Sequence, residues 1–183
     1  MRRKILLTVA MGVVGFLAIV AMQPGEYRVA RTTTMAAPAP VVFAQVNDFH
    51  RWEAWNPWAT IDPNMRQTYA GAPAGPGAVY SWAGNKDVGE GRMTLTESRP
   101  HELIRIELEF LRPFAGTSTA EFTFTPTGTP VGTGTAVTWS MTGRKNLVAK
   151  AVHLFVDMDR MIGAQFEEGL ARMKTVAEAA TRS

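Results

Sequence analysis

The clearest pattern in the sequence is an alternation of apolar and polar residues. Over residues 103–111, Ile104 and Ile106 lie on one side of a predicted strand, and Arg105 and Glu107 lie on the other. Period-two alternation of this kind predicts an antiparallel sheet with one buried face. The same pattern predicts further strands over residues 27–35, 78–82, 92–98, 119–125 and 136–142.

The C-terminal part of the chain has a helical period instead. Residues 146–180 contain no proline, and their apolar residues recur three and four positions apart, which predicts one long amphipathic helix. The apolar stripe predicted to cover the sheet consists of Leu147, Ala151, Leu154, Phe155, Met158, Met161, Ile162, Phe166, Leu170 and Met173. A short helix over residues 40–46 begins at Pro40, and Pro57 disfavours helix at the residue before it. The pattern therefore predicts an α+β domain, with a curved antiparallel sheet wrapped around a long C-terminal helix.

The N-terminus carries an uncharged apolar segment at residues 5–22, directly after Arg2, Arg3 and Lys4. Its 18 residues are close to the minimum for crossing a hydrocarbon layer of roughly 30 Å. Basic residues before such a segment stay on the cytoplasmic side. The sequence therefore predicts a single-pass membrane protein whose domain lies on the extracytoplasmic, periplasmic side.

A cleaved signal peptide, giving a secreted protein, is the alternative interpretation of this segment. Cleavage after Ala21 would place Ile19 at the third position before the cut, where a small residue is required. The sequence therefore favours a retained anchor. It divides into an anchor with a short tether at residues 1–26 and one domain at residues 27–183.

Charge and composition exclude several classes of function. The basic residues before Glu26 account for three of the 19 cations, so 16 cations face 16 acids in the rest of the chain. A neutral domain does not supply the concentrated basic face that nucleic acid requires, and we expect no nucleic-acid partner. The absence of cysteine excludes disulfides and thiolate metal sites.

Four short motifs in a fixed order give a family resemblance. They are the aromatic segment at residues 52–58 (WEAWNPW), then residues 80–85 (YSWAGN), 88–91 (VGEG) and 138–141 (TWSM). Together with the order of elements over residues 27–180 and the N-terminal anchor, they resemble the START-like (SRPBCC) superfamily, in its membrane-anchored bacterial, polyketide cyclase/dehydrase-like branch. The resemblance implies a helix-grip fold with an apolar cavity between sheet and helix, used in the superfamily for lipids, sterols, polyketides and hormones.

The apolar face that would line such a cavity carries many aromatic and methionine residues. In a fold of this kind the core and the cavity wall are the same face, and methionine gives an adaptable lining. The predicted ligand-binding residues are Trp55, Trp58, Tyr80, Trp82, Met93, Phe110, Phe122, Trp139, Met141, Met158 and Ile162.

Glu90 is the one candidate for a catalytic residue. The glycines on both sides of it permit a bulge that would turn its carboxylate into the cavity as a polar anchor or general base. Strict alternation instead places Glu90 on the outer face together with Arg92, and we favour that placement.

The histidines do not predict a metal site. His153 and Asp157 are four residues apart, the spacing of a metal-binding pair on a helix. A metal needs three or more ligands with oriented partners, and the same stripe next offers Met161. We therefore predict no metal and no other cofactor.

The resulting functional prediction is the binding of a hydrophobic small molecule or lipid by a membrane-tethered domain. One alternative is a small cyclase or dehydratase acting on a polyketide-like substrate. The other is a domain that uses the same scaffold to bind a protein partner without a ligand.

Overall fold

The computed structural model describes residues 1–128 and 133–182. The described residues form one seven-stranded antiparallel sheet in the order β1-β7-β6-β5-β4-β3-β2. The strands are β1 (Glu26–Met35), β2 (Arg66–Gly71), β3 (Ala78–Ala83), β4 (Glu90–Arg99), β5 (Leu103–Arg112), β6 (Gly116–Thr127) and β7 (Gly134–Arg144). The six strands predicted from alternation correspond to β1 and to β3 through β7, with ends that differ by a few residues.

The helices are α1 (Arg2–Met22), α2 (Ala39–Asn47), α3 (Leu147–His153) and α4 (Met158–Arg182). Two short 3₁₀ helices, Phe49–Ala54 and Pro57–Thr60, connect α2 with β2. Helix α4 packs along β1 and on α2. The predicted helix-grip architecture, a sheet packed on a long C-terminal helix, is therefore confirmed.

The prediction of a single helix over residues 146–180 is wrong, because the chain breaks between α3 and α4. The side chain of Asp157 accepts a hydrogen bond from the backbone N–H of Arg160 at 3.0 Å. A residue that accepts this bond caps the start of a helix. Its carboxylate offers the backbone N–H an alternative partner, and this favours a break between the preceding helix and α4.

Strand β2 was not predicted from the sequence. It is an edge strand that pairs with β3, with Tyr69 opposite Tyr80. Its sequence, RQTYAG, has one large aromatic residue and no alternating apolar set, so it carries little of the pattern on which the prediction depends. The glycine- and proline-rich residues 71–77 are predicted from the sequence to form a loop, which follows β2, and residues 127–134 are predicted to form a turn, which lies partly outside the described residues.

One arginine connects the sheet to the C-terminal helix. Arg31 of β1 donates hydrogen bonds to Asp159 at 3.0 Å and to Glu167 at 2.6 Å, both on α4. These bonds raise the pKa of Arg31, with the larger contribution from Asp159. Gly163 lies directly under the guanidinium, since a Cβ there would be 1.9 Å from it. The register of α4 on β1 is therefore fixed by a polar contact as well as by apolar packing.

Candidate ligand-binding interior

An aromatic cluster fills the middle of the space between the sheet and α4. The ring of Trp139 on β7 stacks on Phe166 of α4 with 4.0 Å between centroids, and on Phe122 of β6 at 4.9 Å. Trp55 meets the edge of Trp139 at 5.7 Å. The indole nitrogens of Trp52 and Trp55 each donate to a backbone carbonyl at 3.1 Å. The 3₁₀ helix that follows α2 and the residue directly after it thus place two indoles in the interior with their polar atoms satisfied.

Burial along the sheet changes from one end to the other. On β5, Ile104 and Ile106 are fully buried, whereas Leu108 is only half-buried although it lies on the same face. On β4, Leu95 is fully buried opposite Ile106, and the residues that follow Leu108 along this face of β5 are also partly exposed. The apolar face of the sheet is therefore sealed at one end and less well covered at the other.

Helix α4 shows the same gradient. Phe166, Leu170 and Met173 are buried, but Ile162 and Met158, one and two turns before Phe166, are half-buried. The start of α4 and the partly exposed end of β5 are thus the two less covered sides of the interior.

The register of the strands shows that the less covered end is the end at which α1 enters the domain. Glu26, the first residue of β1, pairs with Arg144 at the end of β7. Phe110, near the end of β5, pairs with Gly116 at the start of β6. An open depression of ≈ 550 Å³ lies at this end, between the start of β1 and residues 154–159. We call it the anchor-end groove, and Tyr27, Val29 and Met158 contribute to its lining.

Three side-chain polar atoms are buried without a hydrogen-bond partner among the described residues: the hydroxyl of Tyr80, the indole nitrogen of Trp139 and Oε1 of Gln165 on α4. Tyr80 and Trp139 are each 3% exposed and belong to the core. Burial raises the pKa of Tyr80, so the hydroxyl is a neutral donor. Buried polar groups are nearly always paired, and an unpaired one therefore indicates a position where a water or ligand atom fits.

Tyr69 lies beside Tyr80, with 5.5 Å between the ring centroids. Its hydroxyl donates to Glu53 at 3.0 Å, and His50 stacks on its ring at 4.1 Å. Burial, followed by the hydrogen bond to Glu53, raises the pKa of Tyr69 to about 12. This pair of tyrosines closes the β2–β3 edge of the interior.

Ten of the eleven predicted wall residues belong to the core cluster or pack against it. Six of them are buried in the core: Trp55, Tyr80, Met93, Phe122, Trp139 and Met141. Four are partly buried and pack against that core: Trp58, Trp82, Phe110 and Ile162. Met158 is half-buried and lies in the anchor-end groove. Sequence reasoning omitted Leu108 and Phe166 from this set, although the same alternation and helical spacing pointed to both.

Glu90 lies on the outer side of the sheet, in an ion pair with Arg112. The register of β4 and β5 shifts between Glu90 and Gly91, so the flanking glycines do accompany a bulge. Gly91 itself faces inward, because a Cβ there would lie 2.6 Å from the ring of Trp82. The bulge therefore lets the indole pack closely on the strand and leaves the Glu90 carboxylate outside.

The two residues considered as a metal-binding pair do not form a described site. The side chain of Asp157 caps α4. The side chain of His153 lies outside the described residues.

Comparison with known proteins identifies a family that the sequence of this chain matches. Residues 26–178 match the family described as "Polyketide cyclase / dehydrase and lipid transport". A search of curated proteins gave no significant match.

Solved structures share the fold at low sequence identity. Protein CV1439 from Chromobacterium violaceum is 16% identical with a TM-score of 0.57, over 85% of this chain and 99% of that one. The di-domain ARO/CYC StfQ from the steffimycin biosynthetic pathway is 14% identical with a TM-score of 0.61, over 87% of this chain and 53% of that one. Ara h 8.0201 is 9% identical with a TM-score of 0.53, over 86% of this chain and 98% of that one. The match over residues 26–178 covers most of the chain, which therefore belongs to the polyketide cyclase / dehydrase and lipid transport family.

Proposed function

We propose that the protein binds a hydrophobic small molecule or lipid between the sheet and α4, while α1 holds the domain on the extracytoplasmic face of a membrane. The observation that carries the proposal is the gradient of burial. Apolar residues on β5 and α4 change from fully buried to half-buried towards the anchor end of the domain. A largely apolar site with a few polar groups is what a hydrophobic ligand requires.

The polar atoms inside fit a ligand that is mostly apolar with a polar head. The Tyr80 hydroxyl and the Trp139 indole nitrogen are both able to donate a hydrogen bond. A ligand that offers an acceptor oxygen would satisfy one of them, and its hydrocarbon part would cover the half-buried side chains of Leu108 and Ile162. Specificity would come from the donors, and most of the affinity would come from apolar contact.

The placement of acidic residues favours binding over acid–base catalysis. Within residues 1–128 and 133–182, the buried polar side chains are Gln45, Asn56, Ser118, Thr135 and Ser140, with no Asp or Glu among them. A general acid or base with a strongly shifted pKa needs a buried or paired site in the cavity. Glu90 is paired with Arg112 outside it.

Membrane attachment is supported by α1, a helix long and apolar enough to span a bilayer. Its apolar side chains are exposed over almost the whole helix, with Val20 the buried exception among its described residues. A helix that is apolar all round and does not pack into the domain is typical of a membrane span. The preceding arginines and lysine favour a cytoplasmic N-terminus.

The test is a titration of the domain without α1, residues 24–183, with an anilinonaphthalenesulfonate probe. This part is expected to fold alone, because the described core cluster runs from Val29 to Ala177 and includes no residue of α1. We expect saturable binding that a long-chain fatty acid displaces. Leu108→Trp, which enlarges a half-buried inner residue, should weaken the probe affinity by about tenfold or more, that is about 1.4 kcal/mol.

Thr125→Trp is the matched control, because Thr125 is exposed on β6 and its replacement adds the same indole outside the interior. Probe affinity in this variant should stay at the level of the unmodified domain. Equal affinity in both variants would place the bound probe elsewhere on the surface. No binding by the unmodified domain would contradict the proposal.

A further inference from the structure

The apolar side chains of α3 and of the residues after it do not cover the sheet. Leu147 is 63% exposed, Val148 59% and Phe155 80%. The sequence pattern predicted that Leu147, Phe155 and Met161 would join the stripe that packs on the sheet, and this prediction is wrong. A cluster of large exposed apolar residues on one short segment indicates a surface that contacts a membrane or another protein.

This segment lies against the end of the proposed membrane span. Lys150 of α3 donates a hydrogen bond from its Nζ to the backbone carbonyl of Ala21 at 3.2 Å. Helices α1 and α3 are in contact, and Val20 is buried near the same end of α1. The short helix is therefore held next to the last turn of α1.

A second exposed apolar segment lies at the same end of the sheet. The end of β5 and its connection to β6 carry Leu111 and Phe114, which are 52% and 68% exposed. Phe110 pairs with Gly116, and Ser118 pairs with Gly143 near the end of β7. Since the end of β7 also leads into α3, both exposed segments lie at the anchor end of the domain.

The length of α1 sets the height of these segments above the bilayer. The 18 uncharged residues before Gln23 span about 27 Å as a helix at 1.5 Å per residue, close to a hydrocarbon thickness of roughly 30 Å. Ala21 then lies at the boundary of the hydrocarbon layer, and the polar layer extends about 5–8 Å beyond it. A short helix that contacts Ala21 lies within that layer.

We infer that α3, residues 154–156 and the β5–β6 connection form a second membrane contact, which rests on the lipid leaflet next to the C-terminal end of α1. The inference depends on the membrane anchoring proposed above. Arg28, Lys145 and Lys150 lie at this end and suit the phosphates of lipid headgroups. The anchor-end groove would then open directly onto the lipid headgroup layer, so a lipid could reach the interior without crossing bulk water.

The test uses the full chain, which has no cysteine and therefore allows a nitroxide label at a single introduced cysteine. The positions are Val148→Cys and Phe114→Cys on the inferred contact, Val13→Cys in the middle of α1, and Glu102→Cys as control. Glu102 is exposed in the turn between β4 and β5, at the opposite end of the sheet. Each variant is reconstituted in vesicles of phosphatidylcholine and phosphatidylglycerol, and power-saturation EPR measures collisions with oxygen and with a water-soluble nickel chelate.

We expect the labels at Val148 and Phe114 to be shielded from the nickel chelate and to collide more with oxygen than the label at Glu102 does. The label at Val13 should give the deepest position of the four. If Val13 is deep and Val148 and Phe114 are as accessible to nickel as Glu102, the anchor stands and the inferred contact is wrong. If Val13 is itself accessible to nickel, the anchoring is wrong and the inference fails with it. Neither result affects the probe titration of the isolated domain, which tests ligand binding separately.

Discussion

Two leucines on neighbouring strands allow a direct test of the burial gradient. Leu95 on β4 is fully buried at the sealed end, whereas Leu108 on β5 is half-buried towards the anchor end of the sheet. Both lie on the inner face, opposite Ile106 and Met93 respectively. Because the two side chains are chemically identical, replacing each with alanine compares the two ends of the interior.

The expected difference follows from the burial of each side chain. Leucine to alanine removes an isopropyl group, which is about 2.4 kcal/mol at roughly 0.8 kcal/mol per carbon when the group is fully buried. At Leu95 a cavity penalty adds to this, and the total should lie in the range of about 2–5 kcal/mol. Leu108 is partly exposed, so truncation there removes less buried area and leaves a less enclosed space. The expected loss at Leu108 is therefore smaller, about 1–2 kcal/mol.

Urea unfolding of the domain, followed by tryptophan fluorescence, measures both losses. With a slope of about 2 kcal/mol per molar urea, Leu95→Ala should lower the midpoint by about 1–2.5 M and Leu108→Ala by a smaller amount, about 0.5–1 M. The slope itself should stay unchanged in both variants. Equal losses at the two positions would show that the interior is sealed at both ends and would contradict a partly open anchor end.

Three further predictions follow from the site and the anchor. A C-terminal alkaline phosphatase fusion should be active and the full chain should resist carbonate extraction; recovery of a soluble protein that lacks α1 would contradict the retained anchor. Glu90→Gln should leave probe affinity within several-fold, because the carboxylate lies outside and pairs with Arg112; loss of a measurable turnover in this variant would support the cyclase alternative instead. Absorbance at 295 nm should show Tyr69 ionising near pH 12 and Tyr80 later still, both above the ordinary value of about 10. Since a raised pKa favours the neutral form in the fold, their contribution to stability is complete below about pH 10 and is lost as the pH rises through the folded values. Ionisation of all tyrosines at the ordinary value would contradict the described packing.

The strands and the overall fold were predictable because alternation records burial directly. Ile104 and Ile106 alternate with the charged residues Arg105 and Glu107, and both isoleucines are buried, as this pattern predicts. The edge strand β2 was not predictable in this way, because Tyr69 is its one large aromatic residue and hydrogen bonding to β3 defines it. The break before α4 depends on one capping carboxylate, Asp157, within an otherwise continuous helical pattern.

The residues that face the interior were predictable from the sequence, but the shape of the space between them was not. Alternation identifies which residues face inward, yet it gives no information on whether the interior is filled. The stack of Trp139 on Phe166 fills the middle, whereas Leu108 remains half-buried, and no difference in the local sequence separates the two cases. The helical stripe likewise did not show that Phe155 would face away from the sheet, because periodicity identifies an apolar face without identifying what covers it.

Native mass spectrometry of the domain, expressed in cells and purified without detergent, tests the central claim most directly. If the interior binds a hydrophobic molecule, the spectrum should show the protein mass together with a bound mass that is released on denaturation and identified as a lipid or another apolar compound. The bound fraction should fall in Leu108→Trp and remain in Thr125→Trp, the exposed control. A spectrum of the unliganded mass alone in all three proteins, after incubation with membrane lipid extract, would contradict the account.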